Sequence, residues 1–190
     1  MKTKTIAGIG LLTAIVIVLQ ALAVVIRPAG GFFSISLVLI PIVIGAALYG
    51  IKAGAWLGLV FGVVVLINDS TAFLAINAAG TFATVLSKGI LCGIGAALIY
   101  KLLCEKSVLL AAIGAAIICP VINTGVFVIG CRLFFMEGIN GWAAAAGYPD
   151  AGRYIIVGIV GVNFLIEMAI NIFLSTTIVK IIHIKRVSGV

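Results

Sequence analysis

From Thr5 to Ile26 the chain runs for 22 residues without a charged side chain, and from Ser107 to Cys131 it does so for 25. About 20 helical residues cross a hydrocarbon layer about 30 Å thick. Within that layer every backbone N–H and C=O must find its partner inside the protein. Runs of this length commit the chain to helices packed side by side in a bilayer. Six spans are expected: Thr5–Ile26, Ser34–Tyr49, Ala53–Ile67, Asn77–Leu103, Val108–Phe135 and Arg153–His183. Composition agrees, with 64% hydrophobic and 9% charged residues against about 25% charged in soluble domains. The fold class read from this is all-α: a polytopic membrane protein, one six-helix transmembrane bundle over residues 1–190, with no separate soluble domain.

Met1-Lys2-Thr3-Lys4 before an apolar run is also how a signal peptide begins. The run continues to Ile26 with no small-residue cleavage site to end it, so it reads as a spanning helix. Arg27-Pro28-Ala29-Gly30-Gly31 stops that helix. The second and third runs are no longer than 16 residues, short of a perpendicular crossing. They must be extended by flanking residues or buried against longer neighbours. The last three runs exceed the bilayer and must tilt or project. Gly50–Gly54 reads as a tight turn, and Asn68–Ile76 and Met136–Gly152 as outer loops.

Net charge +7 raises a nucleic-acid reading, but the basic residues are scattered over short loops and ends. Lys2, Lys4, Lys52, Lys101, Lys106, Lys180, Lys185 and Arg186 fall on one side of the spans, and Arg27, Arg132 and Arg153 on the other. The richer side is the cytoplasmic one, so both termini are expected there.

Two polar ladders stand out inside the spans. Asn77, Thr81, Thr84 and Lys88 recur at helical spacing and share one face. Lys88 lies 11 residues past Asn77, about 16 Å along a helix and so near mid-membrane. Asn163, Glu167 and Asn171 form a second ladder on the sixth span, and Asn123 brings an amide to similar depth on the fifth. Pro120 beside Asn123 loosens the backbone hydrogen bonding there. Lys88 and Glu167 are the only ionisable residues well inside spans. They either pair with each other and join two helices, or line a small-molecule pocket open to the outside with Lys88 meeting a carboxylate; both readings can hold together. Phe127, Trp142, Tyr148 and Tyr154 supply apolar walls for such a pocket, although Trp142 and Tyr148 equally suit an interfacial aromatic belt. Arg132, Glu137, Asn140 and Asp150 are either a cap over it or solvated loop residues.

Enzyme chemistry finds no footing. His183 is the only histidine and sits at the cytoplasmic end, and no metalloprotease, paired-carboxylate, Ser/His or phosphate-cradling motif occurs. No nucleotide site is present to drive a primary pump. Cys92, Cys104, Cys119 and Cys131 show no CxxC and read as small packing residues; no metal and no cofactor is expected. A proton-coupled secondary carrier or channel using Lys88 and Glu167 as a relay stays open, though no internal repeat suggests alternating access. Gly10-x-x-x-Ala14 on the first helix is a small-xxx-small pair that admits close helix approach.

Several stretches resemble one family. Ile35–Ala46 (ISLVLIPIVIGA) and Tyr49–Gly62 (YGIKAGAWLGLVFG) resemble the second and third helices of substrate-binding S components of energy-coupling-factor (ECF) transporters. Pro120–Phe127 (PVINTGVF) and Asn163–Glu167 (NFLIE) are similar to that family as well. Gly10-x-x-x-Ala14 resembles its Ala-x-x-x-Ala coupling motif, with glycine in the first place. The resemblance implies a bacterial or archaeal membrane subunit that captures a vitamin-like molecule from outside and topples in the bilayer to release it. A transmembrane coupling protein and two cytoplasmic ATPases, which alone use ATP, would drive it. It also implies that the first three helices dock the coupling protein, with Gly10 and Ala14 as the coupling pair, while the last three helices and the outer loops hold ligand; the polar groups derived above agree, with Asn77, Thr81, Thr84, Lys88, Asn123, Phe127, Asn163 and Glu167 as the expected ligand-binding residues. A buried lysine among amides suits a carboxylate-bearing ligand: pantothenate first, folate-like compounds second.

Overall fold

The computed structural model describes residues 3–25 and 37–187, without the side chains at positions 24, 25, 69, 162, 163, 175, 176, 183 and 185–187. The helices are α1 (Thr3–Val25), α2 (Leu39–Tyr49), α3 (Ile51–Asp69), α4 (Thr71–Ile76), α5 (Ala78–Leu103), α6 (Val108–Gly130), α7 (Met136–Ala145), α8 (Ala151–Arg153) and α9 (Val162–Val187). π-Helical segments Cys131–Phe135 and Tyr154–Gly161 join α6 to α7 and α8 to α9. Among the described residues there is no strand. Thr3–Ala23, Ile51–Asn68, Ala78–Leu103, Val108–Ala145 and Ala151–Leu174 are long and apolar enough to cross a bilayer, and Leu39–Tyr49 is a shorter apolar helix. The protein is an all-α polytopic membrane protein.

The shortness of α2 follows from its place. It touches α1, α3, α5, α6 and α9, and Leu39, Ile42, Val43 and Ala46 are buried. A helix enclosed by its neighbours does not have to match the bilayer thickness. Pro41 is the third residue of α2, where its missing N–H would have had no intrahelical acceptor. The turn to α3 is a single residue, Gly50, with φ 82 and ψ −167, a conformation open only to glycine. Its N–H donates to the Ala46 carbonyl, and its own carbonyl accepts from Gly54 N at 3.0 Å.

α3 and α5 run antiparallel with their backbones in contact. A Cβ built on Gly58 would collide with the Gly89 carbonyl, one on Gly54 with that of Gly93, and one on Gly62 would meet the Val85 carbonyl at 3.0 Å. Glycines 54, 58 and 62 face 93, 89 and the backbone at 85, every fourth residue on each helix. Inside a bilayer, burying apolar side chains against one another gains little over burying them in lipid. Close van der Waals approach of this kind is what holds helices together there. Around this seam, Val16, Leu39, Ile42, Leu57, Phe61, Cys92, Ala96, Ala111, Ala115, Cys119 and Ile178 form the main core. An outer apolar layer gathers Cys131, Phe135, Ile139, Ala143, Tyr154, Ile155 and Ile159.

Two segments expected as loops are helical. Met136–Ala145 continues the span begun by α6 because Met136, Ile139, Trp142 and Ala143 make a core-facing stripe among polar residues. It stops at Ala146 in a Schellman turn, with Gly147 N donating to Ala144 O at 3.2 Å and Tyr148 N to Ala143 O at 2.9 Å. Gly147, at φ 75, supplies the left-handed residue. Asn68–Ile76 likewise reduces to a break at Ser70, whose hydroxyl donates to the Val65 carbonyl at 3.0 Å, followed by α4.

The glycine seam generates a paired test. Gly58→Val should lower the melting temperature in nanodiscs, losing at least the roughly 1–3 kcal/mol typical of overpacking. Gly10→Val, with nothing within 4 Å of the new Cβ, should leave it unchanged. Equal melting of the two variants would refute the seam.

Candidate substrate-binding site

The α5 ladder divides into two pairs with different duties. Asn77 is the N-cap of α5, its Oδ1 accepting from Gly80 N at 2.8 Å, and the Thr81 hydroxyl donates to the Asn77 carbonyl at 2.8 Å. Both serve the helix's own first turn, the ordinary use of such side chains. Thr84 and Lys88 lie deeper. Thr84 is 4% exposed, and its Oγ1 has no hydrogen-bond partner among the described residues. It fits because α6 has glycine at 130: a Cβ there would overlap the Thr84 hydroxyl and methyl.

Lys88 is flanked by two aromatic rings from different helices. Its Nζ lies 5.6 Å from the centroid of Phe61 on α3 and 5.3 Å from that of Phe127 on α6. Ammonium groups within about 6 Å of a ring face are attracted by its quadrupole. Phe127 continues outward into an aromatic cluster centred on Phe73 of α4. Phe73 meets Phe127 at 5.6 Å, Phe135 at 5.0 Å and Trp142 at 5.4 Å, all edge-to-face. Trp142 therefore packs inward, over the end of the bundle. Tyr148 and Tyr154 form a separate pair at 5.1 Å in the outer layer.

One turn below Phe127, Asn123 is buried with its Oδ1 unpartnered among the described residues. On α9, Glu167 is buried and lies in electrostatic range of the buried Cys119 thiol of α6, and the Cys92 thiol of α5 donates to the Gly89 carbonyl at 3.1 Å. Asn171 is fully buried; its Nδ2 donates to the Glu167 carbonyl at 2.8 Å, and its Oδ1 is unpartnered among the described residues. The Asn163 side chain lies outside the described residues. Thr84, Lys88, Asn123 and Phe127 are thus grouped on facing sides of α5 and α6, with Glu167 approaching from α9. Asn77 and Thr81 sit above them as structural caps. Arg132, Glu137, Asn140 and Asp150 are exposed, and Asp150 caps α8 by accepting from Arg153 N at 2.8 Å.

Sequence reasoning passed over Phe61, Phe73 and Gln20. Gln20 is 2% exposed on α1 with Oε1 unpartnered among the described residues. The four-residue glycine spacing on both α3 and α5 was the signal that would have placed an α3 residue beside Lys88; nothing local marks Phe73. All four cysteines are free. Among the described residues no three His, Cys, Asp or Glu side chains are grouped to hold a metal.

Thr84, Asn123 and Asn171 thus each keep a buried oxygen without a partner among the described residues. The sequence matches the family model described as "ECF transporter, substrate-specific component" over residues 4–179. The chain belongs to that family. No curated protein and no solved structure matches it. Membership makes this ECF protein a substrate-binding subunit of an importer that works with the transporter's partner modules, in a family of transporters and not of enzymes.

The unpartnered hydroxyl carries a prediction about the empty protein. A buried polar group without a partner costs about 1–3 kcal/mol, so Thr84→Val should leave the melting temperature of ligand-free protein unchanged or raise it. A loss above about 1 kcal/mol would show that the hydroxyl is already satisfied.

Proposed function

We propose that this ECF substrate-specific component captures a carboxylate-bearing, vitamin-like molecule from outside the cell membrane of a bacterium, with Lys88 meeting the carboxylate. Pantothenate is the first candidate and folate-like compounds the second. The observation that carries this reading is the Lys88 ammonium set between Phe61 and Phe127 beside the unsatisfied Thr84 and Asn123 oxygens. An anion is attracted by the amine, while the ligand's hydroxyl or amide groups give the two oxygens partners that they lack among the described residues. Glu167 of α9 completes the polar wall in this reading, and Asn77 and Thr81 hold the α5 terminus that positions it. ATP is used only by partner subunits.

The coupling half of the reading rests on α1. Gly10 and Ala14 are exposed on its outward side, and a Cβ on Gly10 meets nothing within 4 Å. A small-residue face left open on a bundle in lipid suits docking by another helix, here that of a transmembrane coupling protein carrying two cytoplasmic ATPases. With both termini cytoplasmic, the aromatic cluster lies at the outer end.

Two variants test the halves separately. Lys88→Ala should weaken binding of the co-purified small molecule, identified by native mass spectrometry, at least tenfold, or about 1.4 kcal/mol; unchanged affinity removes Lys88 from the site. Gly10→Leu should bind substrate normally yet abolish uptake by the assembled transporter. Retained uptake would favour a stand-alone proton-coupled carrier built on Lys88 and Glu167.

A further inference from the structure

Beyond Glu167 the buried face of α9 carries one more polar side chain among the described residues. Glu167, Asn171, Ile178 and Ile182 are buried at steps of four, seven and four residues, which puts them on one stripe of the helix. Ile178 and Ile182 belong to the main core with Ala111, Ala112, Ala115 and Cys119 of α6, a helix on which α9 packs. Glu167 stands in electrostatic range of Cys119, and Asn123 lies one turn outward from Cys119 on α6. Asn171 is one turn inward from Glu167. It therefore sits at the inner end of the polar set formed by Thr84, Asn123 and Glu167, where that set meets the apolar core.

Rotating a side-chain amide by half a turn exchanges its donor and its acceptor, so in most places the oxygen cannot be singled out. At Asn171 it can. Nδ2 donates to the Glu167 backbone carbonyl at 2.8 Å, a bond only the nitrogen can make, which leaves Oδ1 as an acceptor and nothing else. The residue is fully buried, and Oδ1 has no partner among the described residues. From Ala111 to Asn123 the buried side chains of α6 are alanines, Cys119, Pro120 and Asn123, a surface of small groups with few donors.

We propose that Asn171 is a further substrate-contacting residue whose Oδ1 accepts a hydrogen bond from a hydroxyl or N–H group at the inner end of the bound molecule. This rests on the reading of α5, α6 and α9 as the walls of the substrate site, and it adds a rule of selection. An ether or ester oxygen at that end would oppose one acceptor with another, and a methyl group would leave Oδ1 dry. A site that hydrogen-bonds a substrate donor rejects the analogue lacking it more sharply than an apolar pocket rejects a change of one methylene. A water held permanently at Oδ1 would satisfy it equally. The two cases differ in what loss of the oxygen does to the empty protein.

The test has two arms on full-length protein in nanodiscs. In the first, protein stripped of small molecules is melted as Asn171→Leu and as Asn171→Ala, one larger and one smaller than asparagine. At least one of them should melt no lower than the unmodified protein, because the oxygen it removes has nothing to lose. A fall in both would show a permanent partner at Oδ1, water or side chain, and overturn the proposal. In the second arm, radiolabelled pantothenate is displaced by unlabelled pantothenate and by three analogues, each lacking one of its donors: either hydroxyl of the pantoyl group or, as the N-methyl amide, the N–H. Asn171→Leu should weaken pantothenate about tenfold and cost nothing further with the one analogue whose missing donor is the partner of Oδ1. An unchanged affinity for pantothenate, or an equal loss with all four compounds, would overturn the proposal. Lys88→Ala is run beside it: unchanged affinity there would end the carboxylate reading without touching Asn171. Failure of the unmodified protein to bind pantothenate would remove that substrate and pass the comparison to the co-purified molecule, while the first arm still decides whether the oxygen is spare.

Discussion

The contact on which the rest of the bundle depends is the one between two backbones, α3 against α5. Glycines 54, 58 and 62 on one helix and 89 and 93 on the other leave no side chain between them, and carbonyl oxygens fill the space where a Cβ would stand. In water such a contact would add little beside the burial of larger side chains. In lipid the comparison reverses, because apolar side chains are equally well solvated apart or together, and dispersion at close range decides which helices associate. The same contact puts Phe61 within reach of Lys88 and joins the α1–α3 half to the half that carries the polar groups.

Polar groups inside this bundle fall into two sets. One is used by the backbone: Asn77 and Thr81 on the first turn of α5, Ser70 on the end of α3, and the Asn171 amide on its own helix. The other keeps oxygens without a partner among the described residues, at Gln20, Thr84, Asn123 and Asn171. A buried oxygen without a partner costs stability, and in the proposed reading a ligand's donors recover part of that loss. The π-helical segments Cys131–Phe135 and Tyr154–Gly161 are a further departure from regular helix, beside the outer apolar layer.

Family membership and the geometry constrain each other. An ECF substrate-specific component needs a face for its partner modules and a pocket for its substrate. The exposed small residues of α1 and the aromatic-capped interior of α5, α6 and α9 are separated by α2 and α3. α2 is enclosed on nearly every side, which makes it a strut between the two regions and explains how a helix of 11 residues can belong to a membrane bundle.

Uncharged runs of 22 and 25 residues were enough by themselves to determine helices in a bilayer, since transfer of a segment into lipid depends on the segment's own atoms. Helical periodicity likewise put Thr84 and Lys88 on one face, and Asn123 and Phe127 on another. Three matters lay beyond it. Phe61 and Phe73 reach the site from α3 and α4, which depends on which helices touch. Asn77, equal in the ladder to Thr84, is taken by its own helix terminus, which depends on where α5 begins. Met136–Ala145 is a helix because its thin apolar stripe has a core to face. Each of these is a contact between segments far apart in the chain, and the free energy of such a contact exists only once close approach has brought the segments together.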